Sequence, residues 1–224
     1  MIITTNCDEI SDDVSESISF FRKNNLKNVE LRSLNKKNLL DYSYKEISDI
    51  KKTFQKNNLS IIALASPLFK WFYYKPLANI KFDNFFFNPS ITTHRKKEYI
   101  DKTIQIAEIL DTRFIRIFSN LSDGTLKPEV FWNDELLFYA LEKAKKSNKY
   151  LLLENEPICI INRKKDIKLT FQRDNLKDLN VWLDIANFYQ VGDNVIENDI
   201  RELAKFIKYV HIKDFTQKPC WVYV

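Results

Sequence analysis

The alternation of short apolar runs with helix-forming segments constrains the fold of this chain more than any other feature. The β-rich runs are bounded by polar residues and are centred near Ile3, Leu31, Ile62, Ile115, Leu152, Trp182 and Val210. Segments with helical periodicity lie between them, at residues 15–24, 44–56, 96–110, 134–146 and 197–207. Strands that alternate with helices build βαβ units, which form parallel sheets.

The spacing of these runs indicates the kind of sheet. Most strand centres are separated by roughly thirty residues, which is the length of one βαβ step. Seven such strands in 224 residues favour an α/β fold of the (β/α)8 TIM-barrel type over a doubly wound sheet. We expect one domain over residues 1–224. The last residues, "CWVYV", would form an eighth strand with no helix after it, so the predicted barrel is incomplete at its eighth β/α unit.

Composition excludes several classes of protein. The chain has only two glycines, so neither a P-loop nor a dinucleotide-binding glycine loop can form. It has no apolar run near the ~20 residues of a membrane span and no N-terminal signal-peptide pattern. We therefore predict a cytoplasmic protein without a membrane partner. The three widely spaced cysteines fit reduced thiols, and the net charge of +5 comes from lysines spread along the chain, which does not favour nucleic acid as a partner.

One long connection, residues 66–93, is rich in aromatic side chains, including Trp71. Connections of this length without secondary structure are usually lids or binding loops. Because this one follows the third strand, it would lie on the C-terminal face, where TIM barrels bind their substrates. We predict a lid with aromatic walls such as Trp71, while a subunit interface or a patch that closes the barrel mouth is the alternative.

Each of the last three clear strands ends in a residue that can bind a metal ion. These residues are Glu154 in "LLLENE", Asp184 in "VWLDIAN" and His211 in "YVHIKD". The C-terminal ends of parallel barrel strands converge on one face, so the three side chains are expected to point into one mouth. Two carboxylates and one imidazole suit a single divalent ion such as Mn²⁺, Mg²⁺, Co²⁺ or Zn²⁺. Any one acid alone is more often a helix cap or a partner for lysine.

Other charged residues lie near these strand ends. Glu156 follows the fifth-strand glutamate by two residues, and either faces the same mouth or already belongs to the loop. Glu30 and Arg32 in "VELRS" and Arg116 in "IRIFS" interrupt apolar strands, so ion pairs inside the barrel and substrate binding are both open. The only other histidine, His94, precedes a helical segment and is predicted to lie at the surface or to cap the helix.

The motifs, taken in order, resemble those of the xylose isomerase-like family of sugar phosphate isomerases and epimerases, a TIM-barrel group. They are "VELRS", "SPLFKW", "IRIFS", "LLLENEP", "LDIAN" and "HIKD", and they extend over nearly the whole chain. The resemblance implies that Glu154, Asp184 and His211 bind a divalent metal, and that Glu154 also acts as an acid/base group. It implies that Asn187 and Lys213 lie near the substrate. The implied reaction is proton transfer beside the carbonyl of a small sugar or sugar phosphate, through an enediolate, with a hydride shift as the close variant.

The chain departs from the family pattern at its end. Family members usually carry a fourth ligand, a glutamate in a Gly-Glu-Gly-like turn after the eighth strand, whereas this sequence ends at "CWVYV". Losing one of two proton-transfer groups typically lowers the rate by roughly 10²- to 10⁴-fold.

Two classes of function are therefore expected. The first is a divalent-metal-dependent isomerase or epimerase of a small sugar or sugar phosphate, with a dehydratase or hydroxypyruvate isomerase as variants. The second is a catalytically impaired barrel that binds metal or sugar, or associates with another subunit, of which a homo-oligomer is one form, because uncovered strand edges seek partners. A barrel endonuclease with a multi-zinc cluster would need more than the two histidines of this chain.

Overall fold

A computed structural model of the chain describes residues 1–74, 76, 88–215 and 221–222. Within these ranges the strands are β1 (Asn28–Leu31), β2 (Ser33–Leu34), β3 (Lys37–Asn38), β4 (Ser60–Leu64), β5 (Phe114–Ile117), β6 (Tyr150–Glu154), β7 (Asn180–Asp184), β8 (Ile207–His211), β9 (Asp214–Phe215) and β10 (Trp221–Val222). The α-helices are α1 (Val14–Lys23), α2 (Tyr44–Lys56), α3 (Thr93–Leu110), α4 (Pro128–Trp132), α5 (Glu135–Lys146), α6 (Lys164–Thr170), α7 (Ile185–Gln190) and α8 (Glu197–Leu203). Short 3-10 helices lie at Cys7–Glu9, Leu39–Asp41 and Asp174–Leu176.

A six-stranded parallel sheet carries the fold, in the order β1-β4-β5-β6-β7-β8. Each of its neighbouring strand pairs is parallel. Glu30 of β1 and His211 of β8 lie on the two opposite edges of this order, yet their side chains are 3.1 Å apart. The sheet is therefore curled into a half-barrel surrounded by helices, which confirms the predicted α/β fold of an incomplete (β/α)8 barrel.

Both faces of the central strands β6 and β7 are buried, as is usual in parallel sheets, whereas Lys208 and Val210 of the edge strand β8 are exposed. On β6 and β7 the residues that face the helices join the main core, and these are Leu151, Leu153, Val181 and Leu183. The alternate residues Leu152 and Trp182 join a second cluster inside the curl, together with Ala63 and Ala65. The period-2 alternation predicted from the sequence is thus confirmed, and it fixes which strand-end side chains point inward.

Helix boundaries follow from local capping. Ser43 and Glu46 form a capping box, in which each side chain accepts the other's backbone N–H, and α2 has the predicted bounds. The predicted helix at 197–207 is shorter than expected because α8 ends at Leu203 and β8 begins at Ile207. The short helices α4, α6 and α7 were not predicted, since none is long enough to show helical periodicity.

The two ends of the chain differ from prediction. The run near Ile3 is not a regular strand: Asn6 bridges Glu30 in parallel, but Ile2 and Ile3 are 66% and 63% exposed and gain little from burial. The prediction of an eighth barrel strand is wrong for Trp221–Val222, which pairs antiparallel with β9. Residues 212–220, which separate β8 from β10, are fewer than the dozen or so that a parallel crossover needs. Cys220, Tyr223 and Val224 lie outside the described residues.

Part of the aromatic connection is visible. Trp71 and Phe72 are buried. The Nζ of the buried Lys96 donates a 2.7 Å hydrogen bond to the backbone carbonyl oxygen of Phe72. Residue 75 and residues 77–87, with Phe82, Phe85, Phe86 and Phe87, lie outside the described residues, so the lid stays a prediction. In the described part of the chain, no helix combines the length and apolarity needed to cross a membrane.

Candidate metal centre

Three metal-competent side chains meet inside the half-barrel at the C-terminal ends of β6, β7 and β8. Glu154, Asp184 and His211 each offer one ligand atom, and these atoms lie within 4.8 Å of one another. His211 Nδ1 is 3.3 Å from Glu154 Oε1 and 3.9 Å from Asp184 Oδ2. Asp184 and His211 are register partners on neighbouring strands, so the backbone alone brings these two side chains together.

Asn155 holds the backbone of Asp184 in place. Its side-chain oxygen accepts a hydrogen bond from Asp184 N, and its side-chain nitrogen donates to Asp184 O, both at 2.8 Å. Asp184 Oδ1 accepts from Asn187 N and so caps α7. Asn155 was not predicted from the sequence, where its only signal is an amide between the two acids of "ENEP".

Two cations pair with the carboxylates. Arg116 Nη1 lies 3.1 Å from Glu154 Oε2, with side chains only 8% and 4% exposed. The same guanidinium donates to the carbonyl oxygens of Ala65 and Ser66. Arg116 therefore forms an ion pair inside the barrel, one of the two roles left open by the sequence.

Lys213 is the second cation. Its Nζ lies 2.8 Å from Asp184 Oδ2 and donates to Asn187 Oδ1, also at 2.8 Å. Gln190 donates to the same amide oxygen of Asn187. The structure thus brings the predicted residues Asn187 and Lys213 into direct contact with each other beside the cluster.

Glu30 lies beside Nε2 of His211, on the side of the ring opposite Glu154 and Asp184. It is 1% exposed, and both of its carboxylate oxygens lie 3.1 Å from His211 Nε2. Trp182 meets the imidazole edge to face, with ring centroids 5.1 Å apart, and stacks on Tyr209 below it. The imidazole is therefore held between Glu30 on one side and Glu154 with Asp184 on the other.

These contacts shift the ionisation of the cluster. Burial lowers the pKa of His211, but the carboxylates of Glu30 and Glu154 outweigh it and raise this pKa to about 10. Burial raises the pKa of Glu154, yet Arg116 and His211 together hold it well below its usual range. Burial and the neighbouring Glu154 charge raise the pKa of Asp184, against the attraction of Lys213. Without a metal ion, His211 is therefore an imidazolium at neutral pH.

The other predicted site residues lie in different surroundings. Glu156 pairs with Lys70 Nζ at 3.3 Å, both largely buried. Arg32 pairs with Asp8 at 2.9 Å and with Glu9 at 3.4 Å.

Trp71 is fully buried and packs on Phe69, with ring centroids 4.9 Å apart. Substrate binding by Trp71, by Arg32 and by Glu156 stays a prediction. His94 is exposed and pairs with Glu98, as expected of a surface residue.

The donor set fits a divalent cation. Two carboxylate oxygens and one imidazole nitrogen are the ligands that Zn²⁺ and Mn²⁺ accept, and two ligands at about 2.1 Å from one ion are separated by about 3 to 4 Å. The separations from His211 Nδ1 of 3.3 and 3.9 Å lie in this range. Glu154, Asp184 and His211 would hold the ion, and Lys213 would have to share or release Asp184 Oδ2.

Comparison with known proteins agrees with the TIM-barrel fold. The profile of the family described as "Xylose isomerase-like TIM barrel" matches residues 18–220. No curated protein sequence shows significant similarity to the chain.

Solved structures resemble it over nearly its full length. The probable 3-DHS dehydratase AsbF of Bacillus anthracis is 16% identical, with a TM-score of 0.72, covering 97% of this chain and 74% of its own. The IolI protein, solved with a bound zinc atom, is 17% identical with a TM-score of 0.72, covering 98% and 75%. L-ribulose 3-epimerase is 19% identical with a TM-score of 0.67, covering 96% and 70%.

Proposed function

Because the chain belongs to the xylose isomerase-like TIM-barrel family, we propose that it is a divalent-metal-dependent isomerase or epimerase of a small sugar or sugar phosphate, which works by proton transfer through an enediolate. The observation that carries this proposal is the cluster of the buried Glu154 and Asp184 with the partly buried His211 at three neighbouring strand ends. A sugar epimerase and a zinc-bearing protein among the similar structures support it. The cytoplasmic location and the homo-oligomer stay predictions.

Glu154 is the proposed acid/base group. It is buried at a strand end that opens toward the barrel mouth, and Arg116 holds it in the ionised form that accepts a proton. A carboxylate with a lowered pKa is a weak base, so a substrate C–H must be acidified for transfer to proceed. A divalent ion, when bound, would supply the positive charge that acidifies it.

The remaining residues bind and orient. Asn187 and Lys213 offer an amide and an ammonium group next to Asp184, where they suit sugar hydroxyl and carbonyl oxygens. Trp182 and Tyr209 form an apolar floor under His211, which limits water access from inside the half-barrel. Limiting the access of bulk water strengthens the electrostatic interactions inside such a site.

The first experiment tests turnover and proton transfer together. A panel of ketoses and their phosphates is incubated with the protein and Mn²⁺ in D₂O, and products are read by NMR. Proton transfer incorporates solvent deuterium at the carbon that reacts, whereas a hydride shift does not. Glu154→Gln should lower the rate by at least ~10²-fold, while the exposed Glu142→Gln should leave it unchanged. Turnover that survives in Glu154→Gln would refute the assigned role.

A catalytically impaired barrel is the second candidate. It is favoured by the charge balance of the metal-free cluster, in which three carboxylates (Glu30, Glu154, Asp184) face three cations (Arg116, Lys213 and the His211 imidazolium). In such a cluster the positive side chains already compensate the carboxylate charge that a bound ion would otherwise neutralise. Metal binding without turnover of any sugar in the panel would support this candidate over the enzyme.

A further inference from the structure

We infer that Glu30 is the positioning residue of the metal centre: it accepts the Nε2–H of His211 and thereby turns Nδ1 toward the cluster. The inference rests on the proposed metal site. Glu30 was singled out in the sequence only as a charge inside an apolar strand, with an ion pair and substrate binding both open. The geometry gives it a specific partner and a specific ring nitrogen.

The two ring nitrogens of His211 have different partners. His211 Nε2 lies 3.1 Å from both oxygens of Glu30, whereas Nδ1 lies 3.3 Å from Glu154 and 3.9 Å from Asp184. A neutral imidazole carries one proton and one lone pair. If Nε2 keeps its proton for Glu30, the lone pair of Nδ1 faces the two ligand carboxylates.

Glu30 is itself held in place by its surroundings. Its side chain is 2% exposed, and its backbone N–H donates to Thr5 O while β1 pairs with β4. Trp182 meets the imidazole from a third direction. Ring rotation that would exchange the two nitrogens has to break the Glu30 contact and move past an indole, so the orientation is fixed before any ion binds.

Histidines that bind metals usually donate their second N–H to a carboxylate or a carbonyl, and loss of that partner typically weakens metal affinity by about 10- to 100-fold. A glutamate on β1 serves this purpose across the barrel interior from β8, from a position 181 residues earlier in the chain. Glu30 thus acts through His211 and needs no contact with substrate.

Two matched variants separate the hydrogen bond from the charge. Glu30→Gln and Glu30→Met both remove one negative charge and keep an unbranched side chain, but only glutamine retains an oxygen that accepts Nε2–H. Zn²⁺ affinity is measured by competition with a chelator. We expect the glutamine variant to bind Zn²⁺ at least about tenfold more tightly than the methionine variant. Equal affinities would mean that Glu30 contributes only charge, and would overturn the inference.

A spectroscopic readout is independent of the variants' folding. The chain has two histidines, so ¹⁵N-histidine labelling of His94→Gln leaves the His211 ring alone in the spectrum. In the zinc-loaded protein we expect Nε2 to carry a proton and Nδ1 to be the zinc-bound nitrogen. Zinc on Nε2 would overturn the inference even if Glu30→Met failed to fold. Absence of zinc binding in the unaltered chain would refute the metal centre and the inference with it, whereas equal variant affinities refute the inference alone.

Discussion

Removal of the Arg116 guanidinium should destabilise the metal-free protein strongly. In Arg116→Met the stem of the side chain is kept, but Glu154 loses the cation 3.1 Å from its Oε2, and the carbonyl oxygens of Ala65 and Ser66 lose a donor. Both charged side chains are more than nine-tenths buried. Breaking one partner of a buried ion pair costs about 3–5 kcal/mol, because it leaves an uncompensated charge in the interior.

This cost converts into a measurable change in melting temperature. For a protein of this size, 1 kcal/mol corresponds to roughly 2–4 °C, so the expected loss is about 6–20 °C. Thermal unfolding followed by circular dichroism in the presence of a chelator measures it. Arg22→Met is the matched control, since Arg22 is exposed on α1. A surface change of this kind should alter stability by at most about 0.5 kcal/mol.

The same substitution in a Glu154→Gln variant tests whether loss of the ion pair causes the destabilisation. In Glu154→Gln the carboxylate is already neutral, so adding Arg116→Met should cost much less than it does in the unaltered chain. A loss below about 3 °C in the first comparison would show that the pair contributes little. An equal loss with and without the Glu154 charge would show that packing, and not the ion pair, explains the destabilisation.

Three further outcomes follow from the same cluster. The pKa of His211 is raised from 6.5 to about 10, so its contribution to the stability of the metal-free protein is complete below pH 6.5 and is lost as the pH rises toward 10. Urea unfolding across this range should show the loss, and His211→Gln should flatten the dependence of the free energy of unfolding on pH. Zinc binding requires the neutral imidazole and should release about one proton at pH 7, with affinity rising about tenfold per pH unit, as calorimetry in buffers of different ionisation enthalpy can detect. Asn155→Ala removes two hydrogen bonds to the backbone of Asp184 and should lower the free energy of unfolding by about 1–3 kcal/mol in urea titrations; an unchanged free energy would contradict the structural role of Asn155.

The sheet and its inward-facing residues were predictable because they depend on local patterns. Runs such as "KYLLLENE" and "NVWLDIA" are apolar on both faces, which indicates buried parallel strands, and their length fixes which residue ends each strand. The convergence of Glu154, Asp184 and His211 follows from their positions at the ends of three neighbouring parallel strands, and the register places Asp184 opposite His211.

What could not be predicted depends on contacts between distant residues. The pairing of Arg116 with Glu154 and of Glu30 with His211 requires the curvature of the sheet, which no local pattern encodes. The hairpin of β9 and β10 was missed because alternation predicts a strand but not its partner or direction. At the other end, Ile2 and Ile3 have the composition of a strand but not the burial.

The contact between Glu30 and His211 also determines when the cluster can assemble. The two residues are separated by 181 positions, whereas Asp184 and His211 are neighbours on adjacent strands. Contacts of such long sequence separation form late, because the entropy of closing the intervening chain must be overcome first. Partly folded or incompletely synthesised chains can therefore contain β6 and β7 without the full cluster, and the imidazole reaches its final environment only when the two edges of the sheet have met.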